Sequence, residues 1–174
     1  MKIETTILKN LLQNEDYARK VLPFLNDKYF TENSDKIVYN QINNFILKYN
    51  SLPNKEALNI ELSEAKITEE DFKESINLIN EIGKDDQEFS DLSWLLDSTE
   101  KFCQDKAIYN AVVESISILD NPKSTTDKGA IPDILSDALS VSFDPHVGHD
   151  YIDDSSDRFD YYHRVEERIP FDLD

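Results

Sequence analysis

Hydrophobic residues recur at intervals of three and four through the first half of the chain, the spacing that places side chains on one face of an α-helix. The apolar stripes lie at 3–12, 17–22, 38–49, 57–62 and 72–82. Polar and charged residues occupy the positions between them. We therefore expect residues 1–83 to form a small bundle of about five short helices.

Residues typical of helix ends flank several of these stripes. Asn33 and Ser34 are predicted to cap the third helix, and Pro53 is predicted to lie in the first turn of the fourth. Thr68 precedes three acidic residues, a pattern that favours a helix start because the helix dipole stabilises negative charge there. Gly83 is predicted to end the fifth helix.

The pattern changes in the next segment. A long helix is predicted over 90–121, where neither Pro nor Gly occurs, and about 30 residues at 1.5 Å each would span roughly 45 Å. A turn containing Pro and Gly follows over 120–129, and a second apolar face runs over 131–141. We therefore expect residues 84–143 to form a helical hairpin that protrudes from the bundle within the same domain.

The last segment, 144–174, is predicted to be a connector followed by a linker helix. The helix is expected over 153–168, with acidic residues early and arginines late, as the helix dipole favours. Its apolar face consists of Phe159, Tyr162, Val165 and Ile169. Because this amphipathic helix has no evident place in the body, we expect it to lie in a groove on another subunit.

Composition supports the all-α interpretation. Three glycines in 174 residues are few for sheets, which use glycine in bulges and tight turns. The single cysteine, Cys103, excludes an internal disulfide and fits a reducing compartment. The first residues are too polar for a secretory signal or a membrane span. We therefore predict a soluble, cytoplasmic protein without a membrane partner.

The chain is strongly acidic, with 36 acidic and 18 basic residues and a formal net charge of −18. Broad contact with nucleic-acid phosphates needs clustered Lys and Arg, so such contact is disfavoured for these residues. The excess of acidic residues is greatest after residue 83. It forms either a solvated surface or a docking face for a basic protein partner.

Candidate catalytic chemistry is scarce. No phosphate-binding GxxxxGK[ST] sequence occurs, and no Ser-His-Asp arrangement is recognisable. His146 and His149, with Asp150 nearby, are the only metal-like cluster, and their local spacing in a connector favours solvated side chains over a metal site. Cys103 is predicted to be a buried structural thiol and Trp94 an interface or core anchor. We predict no catalytic, cofactor-binding or metal-binding residue in this chain.

Several blocks of the sequence resemble a known family. They are SLPNKEALNIEL at 51–62, DLSWLLDSTEKF at 91–102, GAIPDILSDALSVSFDPHVGHDYIDD at 129–154 and IPFDLD at 169–174. Together with the order of bundle, hairpin, connector and amphipathic helix, they are similar to the N-terminal region of DnaB-type hexameric replicative helicases, most closely those of T-even-type phages. The similarity is densest after Gly129 and covers essentially the whole chain.

The resemblance implies a role in DNA replication at the fork. In that family this region forms a collar of paired domains within a hexamer, the last helix docks on the motor domain of the neighbouring subunit, and the collar engages primase in the primosome. The motor domain carries ATP and Mg²⁺ and contacts DNA. The resemblance thus implies that this chain is a non-enzymatic fragment of an ATP-dependent 5′-to-3′ DNA helicase, with itself, primase and the neighbouring motor domain as partners.

The resemblance also suggests which side chains make these contacts. The expected pairing surface of the hairpin consists of Leu95, Phe102, Tyr109, Val113, Ile116, Ile134, Leu135 and Leu139. Docking of the linker would use Phe159, Tyr162, Val165 and Ile169. Helical periodicity alone does not separate the face inside the hairpin from the face offered to a partner.

Two other functions fit parts of the sequence. A free-standing acidic helical protein that binds or mimics DNA toward a basic partner would explain the net charge of −18. It would not explain the amphipathic last helix, and the acidic residues are scattered rather than regularly spaced along one face. A metal-dependent hydrolase built on His146 and His149 would require tight binding of a divalent ion.

Overall fold

Seven α-helices, and no β-strand, run through the residues that the structure describes, which are 2–84, 91–120 and 127–143. The structure is a computed structural model. The helices are α1 (Ile3–Gln13), α2 (Glu15–Val21), α3 (Asn33–Tyr49), α4 (Lys55–Glu64), α5 (Glu69–Ile82), α6 (Leu92–Asp120) and α7 (Ile131–Leu139). The predicted all-α class is confirmed.

The start of α3 differs from the prediction. Glu32, rather than Asn33 or Ser34, occupies the N-cap position, and its side chain makes no capping hydrogen bond. Asn33 already lies inside the helix, where its amide nitrogen donates to the Asp71 carboxylate at 2.6 Å. Asn33 therefore links α3 to α5 instead of capping α3. At the other end, Asn50 adopts a left-handed conformation with a φ of 50°, which asparagine tolerates better than most residues.

The start of α4 is also corrected. Pro53 was expected in the first helical turn, but α4 begins two residues later at Lys55. Asn54 is the N-cap, and its side-chain oxygen accepts a hydrogen bond from the Ala57 N–H at 2.7 Å. An asparagine side chain satisfies one of the free N–H groups of the first turn, which proline cannot do.

Both predicted ends of α5 are confirmed. The Thr68 hydroxyl accepts from the Asp71 N–H at 3.2 Å and donates to the Asp71 carboxylate at 2.7 Å. Gly83 follows the last residue of the helix. A Cβ at Gly83 would lie 2.9 Å from the carbonyl oxygen of Ile79 in the last turn of the helix, so any other residue there would require a shift of the backbone.

One hydrophobic core joins the first five helices to the first half of α6. Its fully buried members include Ile7, Leu8, Leu11, Tyr17, Val21, Val38, Ile42, Leu58, Leu62, Ile79 and Leu95. Phe30 packs at its centre against Tyr39 and Phe102, with ring centroids 5.1 and 6.0 Å away. The long helix is thus anchored in the bundle by its N-terminal half.

The second half of α6 packs against α7. Ala138 of α7 lies against Ala107 and Ala111. The carbonyl of Val141, three residues later, accepts a hydrogen bond at 3.0 Å from the side chain of Gln104, which is earlier on α6. The two segments are therefore antiparallel. With 9 residues against 29, α7 is much shorter than α6.

The predicted burial of the single cysteine is observed. Cys103 is fully buried, and burial raises the pKa of its thiol to about 12, which agrees with a structural thiol. Asp91 accepts a hydrogen bond from the Trp94 N–H at 3.0 Å and thereby caps α6. No helix in the described part of the chain is long and apolar enough to cross a membrane.

Candidate interaction surface

The residues predicted for the pairing surface of the hairpin fall into two groups. Leu95 and Phe102 are 0% and 6% exposed and belong to the core of the bundle. A second copy of the chain could not reach them without unfolding the bundle. The prediction that these two residues contribute to a pairing surface is therefore corrected.

Other predicted residues do lie at the surface. Tyr109 is 66% exposed, and Val113 and Ile116 are about half exposed. Leu139, at the end of α7, is 71% exposed. Ile134 and Leu135 are partly buried against α6, so they hold the two helices together.

A single stripe on α6 explains this division. Leu95, Phe102, Tyr109 and Ile116 are spaced by seven residues, about two helical turns, and so point in nearly the same direction. The bundle covers the stripe at Leu95 and Phe102, whereas Tyr109 and Ile116 lie beyond the bundle and are exposed. The stripe is therefore hydrophobic both where the bundle buries it and where it is exposed to solvent.

Neighbouring side chains widen the exposed part of the stripe. We define the outer face of α6 as Ile108, Tyr109, Val112, Val113, Ile116 and Leu119, all exposed large hydrophobic residues. Their spacings of three and four place them on one side of the helix. Contiguous exposed apolar surface of this kind marks interaction sites in soluble proteins.

The opposite side of the same helix is occupied by α7. Ala107, Ala111 and Ser115 repeat every four residues and are buried there. The Ser115 hydroxyl donates to the carbonyl of Ala111 at 2.7 Å, which satisfies its polar group within the helix. Small side chains at this spacing allow α7 to approach closely, and α7 leaves the outer face uncovered.

Charge is also absent from the outer face. Glu114 is the only charged residue between Lys106 and Asp120, and it lies on the α7 side, lining a groove with Asn110 and Asp137. A second apolar helix could therefore pack on the outer face without desolvating a charge. Burying the exposed half of each side chain contributes roughly 1 kcal/mol to the free energy of association. The sum of these contributions must exceed the entropy cost of association.

Tyr39 and Cys103 are two buried titratable groups of the bundle. Burial raises the pKa of Tyr39 to about 12, and the pKa of Cys103 is also raised, so both remain protonated at neutral pH. The Tyr39 hydroxyl donates to the carbonyl of Leu25 at 2.9 Å, a structural role. No group of His, Cys, Asp and Glu in the described residues is arranged for a metal ion.

Several surface residues were missed by sequence reasoning. Ile108, Val112 and Leu119 belong to the outer face but were not assigned to it. The available signal was the run of small residues at 107, 111 and 115, which identifies the side of α6 that a neighbouring helix approaches closely. Trp94 is about half exposed, so it is not a fully buried core anchor.

The predicted connector and linker helix lie outside the described residues. This applies to the predicted docking residues Phe159, Tyr162, Val165 and Ile169, and to the histidines His146 and His149. The predictions about them stay predictions.

The chain is also similar in sequence to a known protein. The chain is 35% identical over 175 aligned positions to a DnaB-like replicative helicase of Enterobacteria phage T4. The alignment covers 96% of this chain and 36% of that helicase. No protein-family profile matches the sequence. The resemblance inferred from the sequence blocks is thus confirmed: the chain is similar to a DnaB-like replicative helicase and spans about a third of that protein's length.

Proposed function

We propose that this chain is a subunit-pairing region of a DnaB-like replicative helicase. Two copies associate through the outer faces of their α6 helices, with a two-fold axis between them. The observation that supports the proposal is the continuous hydrophobic stripe from Leu95 to Ile116, which is buried in the core at Leu95 and exposed to solvent at Ile116. A self-complementary patch is the usual basis of a two-fold contact between identical chains.

The pattern of side chains on α6 suits such a contact. Tyr109, Val112, Ile116 and Leu119 follow one another at intervals of three, four and three, and Val113 lies beside Val112. Alternating steps of three and four are typical of helices that pack side by side, because they keep one seam directed at the partner. Pairing would extend the hydrophobic core of each bundle across the axis.

The wider assembly follows from the same proposal. Pairs of these domains would form the collar of a hexamer, and residues 144–174 would dock on the motor domain of the neighbouring subunit. The collar would also engage primase. ATP, Mg²⁺ and DNA would be bound by the motor domain of the whole helicase, which would unwind DNA in the 5′-to-3′ direction, and the residues of this chain would contribute assembly rather than catalysis.

Solution mass across a wide concentration range tests the pairing. We expect the chain to form dimers or larger even-numbered assemblies in light scattering. Val113→Ser combined with Ile116→Ser should shift the equilibrium toward the monomer, because both substitutions remove apolar surface from the outer face. Both side chains are exposed in the single subunit, so the double variant should retain its helical circular dichroism.

A matched control uses exposed hydrophobic residues elsewhere. Leu47 on α3 and Ile60 on α4 are both exposed, and their double substitution by serine removes a similar apolar area. This control should associate as the unsubstituted chain does. A strictly monomeric unsubstituted chain, or equal effects of the two double variants, would contradict pairing through α6. A monomer would favour the alternative of a free-standing acidic helical protein that binds or mimics DNA toward a basic partner.

A further inference from the structure

A second surface feature lies on the bundle, where the start of α3 meets the start of α1 and the end of α5. A groove of about 550 Å³ opens there. It is lined by Lys2, Thr5, Glu32, Ser34, Asp35, Leu78 and Glu81. Three of the seven lining residues are acidic and one is basic, so the groove carries a net negative charge.

Asp35 is the unusual member of this group. It is 7% exposed, no hydrogen bond or ion pair to its carboxylate occurs among the described residues, and its oxygens keep some contact with the solvent of the groove. Its position in the first turn of α3 places it near the positive end of the helix dipole, which reduces the cost of the charge without supplying a donor. Buried carboxylates are normally paired or hydrogen-bonded.

The charged neighbours do not supply a partner for Asp35. Lys2 lies 3.5 Å from Glu32, and both side chains are largely exposed. Glu4 lies 3.7 Å from Lys106, whose ammonium group also donates to the Thr31 hydroxyl at 2.8 Å. Burial first, and then Glu4, Glu32 and Glu81, raise the pKa of Asp35, and Lys2 opposes them only in part. The groove is therefore short of positive charge.

The shape and chemistry of the groove indicate what would complement it. Leu78 provides an apolar contact, and the carboxylates of Asp35 and Glu81 come from two different helices. An inorganic cation is disfavoured because no group in the described residues has a metal-binding arrangement. A long side chain with an apolar stem and a cationic head fits this combination, since the stem packs on apolar surface and the head donates to carboxylates.

We propose that this groove is a docking site for an arginine or lysine side chain of a partner protein, with Asp35 and Glu81 as the carboxylates that receive it. The site is separate from the outer face of α6 and does not depend on pairing. The net charge of −18 adds long-range attraction for a basic partner and makes the interaction dependent on salt.

The test uses the full chain labelled with ¹⁵N and a peptide as the probe. Acetyl-Gly-Arg-Gly-amide is titrated while amide resonances are followed, with acetyl-Gly-Gln-Gly-amide as the neutral probe. We expect saturable shifts that are confined to the residues around the groove, such as Thr5, Asp35 and Glu81, and no saturable shift with the neutral peptide. Asp35→Asn should weaken binding about tenfold or more, because it removes one charge-assisted contact.

Glu64→Gln is the matched control, since it removes one negative charge from an exposed position in the last turn of α4. It should leave the affinity nearly unchanged. If Asp35→Asn does not fold, Glu81→Gln carries the comparison, because Glu81 is exposed and its substitution disturbs no buried contact.

Four results would overturn the proposal. They are the absence of saturable shifts, equal shifts with the neutral peptide, equal weakening by Glu64→Gln, and competition by MgCl₂ at matched ionic strength that exceeds competition by NaCl. The last result would assign the groove to an inorganic cation.

Discussion

The Tyr17 hydroxyl donates its hydrogen to the Thr99 Oγ1 at 2.7 Å, inside the core where α2 meets α6. Thr99 uses its own hydrogen to donate to the carbonyl of Leu95, also at 2.7 Å, so the direction of the first bond is settled. Burial raises the pKa of Tyr17 far above its usual value, and the hydroxyl stays protonated. This chain of two hydrogen bonds fixes the position of α6 relative to the bundle.

Substitutions of Tyr17 and of Thr99 should lower the free energy of unfolding by different amounts. Tyr17→Phe should lower the free energy of unfolding by about 1 kcal/mol, because Thr99 keeps its bond to Leu95. Thr99→Val should cost about 2 kcal/mol, since it leaves the buried Tyr17 hydroxyl without a partner. Urea unfolding measures both values. The double variant should lose less than the sum, and strict additivity would show that the two residues do not interact.

The dependence of stability on pH should reveal the free-energy cost of burying the Asp35 carboxylate. Its pKa is raised in the folded state above the ordinary value of 3.8, chiefly by burial. A raised carboxylate pKa lowers stability at pH values above the folded pKa, and this penalty disappears as the pH falls below the ordinary value. Asp35→Asn should therefore increase the free energy of unfolding at about pH 7, with a smaller increase near pH 3.5.

Asp71→Asn provides a control of opposite sign. Hydrogen bonds from Thr68 and Asn33 lower the pKa of Asp71, so its carboxylate stabilises the fold above the ordinary pKa and loses this effect as the pH falls through the folded pKa. The substitution should destabilise the chain at neutral pH and have less effect in acid. Parallel pH profiles for the two variants would contradict these assignments.

The end of the described chain is held against α6 by a local contact that can be measured. The Phe143 N–H donates to the Glu100 carboxylate at 3.0 Å, and the Phe143 ring stacks on Phe24 with centroids 4.6 Å apart. Glu100→Ala removes the acceptor, and a loss of about 1 kcal/mol would speed exchange of the Phe143 amide hydrogen about fivefold. Hydrogen exchange at Leu8, in the core, should change little, and unchanged exchange at Phe143 would mean that this bond does not hold the segment.

Much of the architecture could be predicted from periodicity. The stripes of α1, α3 and α5 have one apolar side each, so the direction of the core follows from spacing alone. Thr68 and Gly83 were also recognisable, because their local chemistry determines the ends of a helix. The predictions for Asn33 and Pro53 were wrong for different reasons. Asn33 makes a tertiary contact with Asp71, and the neighbouring Asn54 is a better cap than Pro53.

The interaction surface was harder to predict because α6 has apolar residues on more than one side. Leu95 and Ile116 occupy the same stripe, and only the extent of the bundle decides that the first is buried and the second exposed. That extent is a tertiary property. Asp35 was not identified either, because an acidic residue in a first helical turn is ordinary in sequence, and its burial depends on packing between α1, α3 and α5.

Cysteine cross-linking along α6 tests the central claim most directly. Single cysteines replace the outer-face residues Ile108, Tyr109, Val112, Val113, Ile116 and Leu119 in turn, with Glu114→Cys and Leu47→Cys as controls away from that face. Cys103 stays in place because it is fully buried. Under mild oxidation, pairing predicts disulfide-linked dimers at several outer-face positions, with yields that follow the helical period, and little product at Glu114 or Leu47. Equal yields at all positions, or a maximum at Glu114, would contradict association through the outer face of α6.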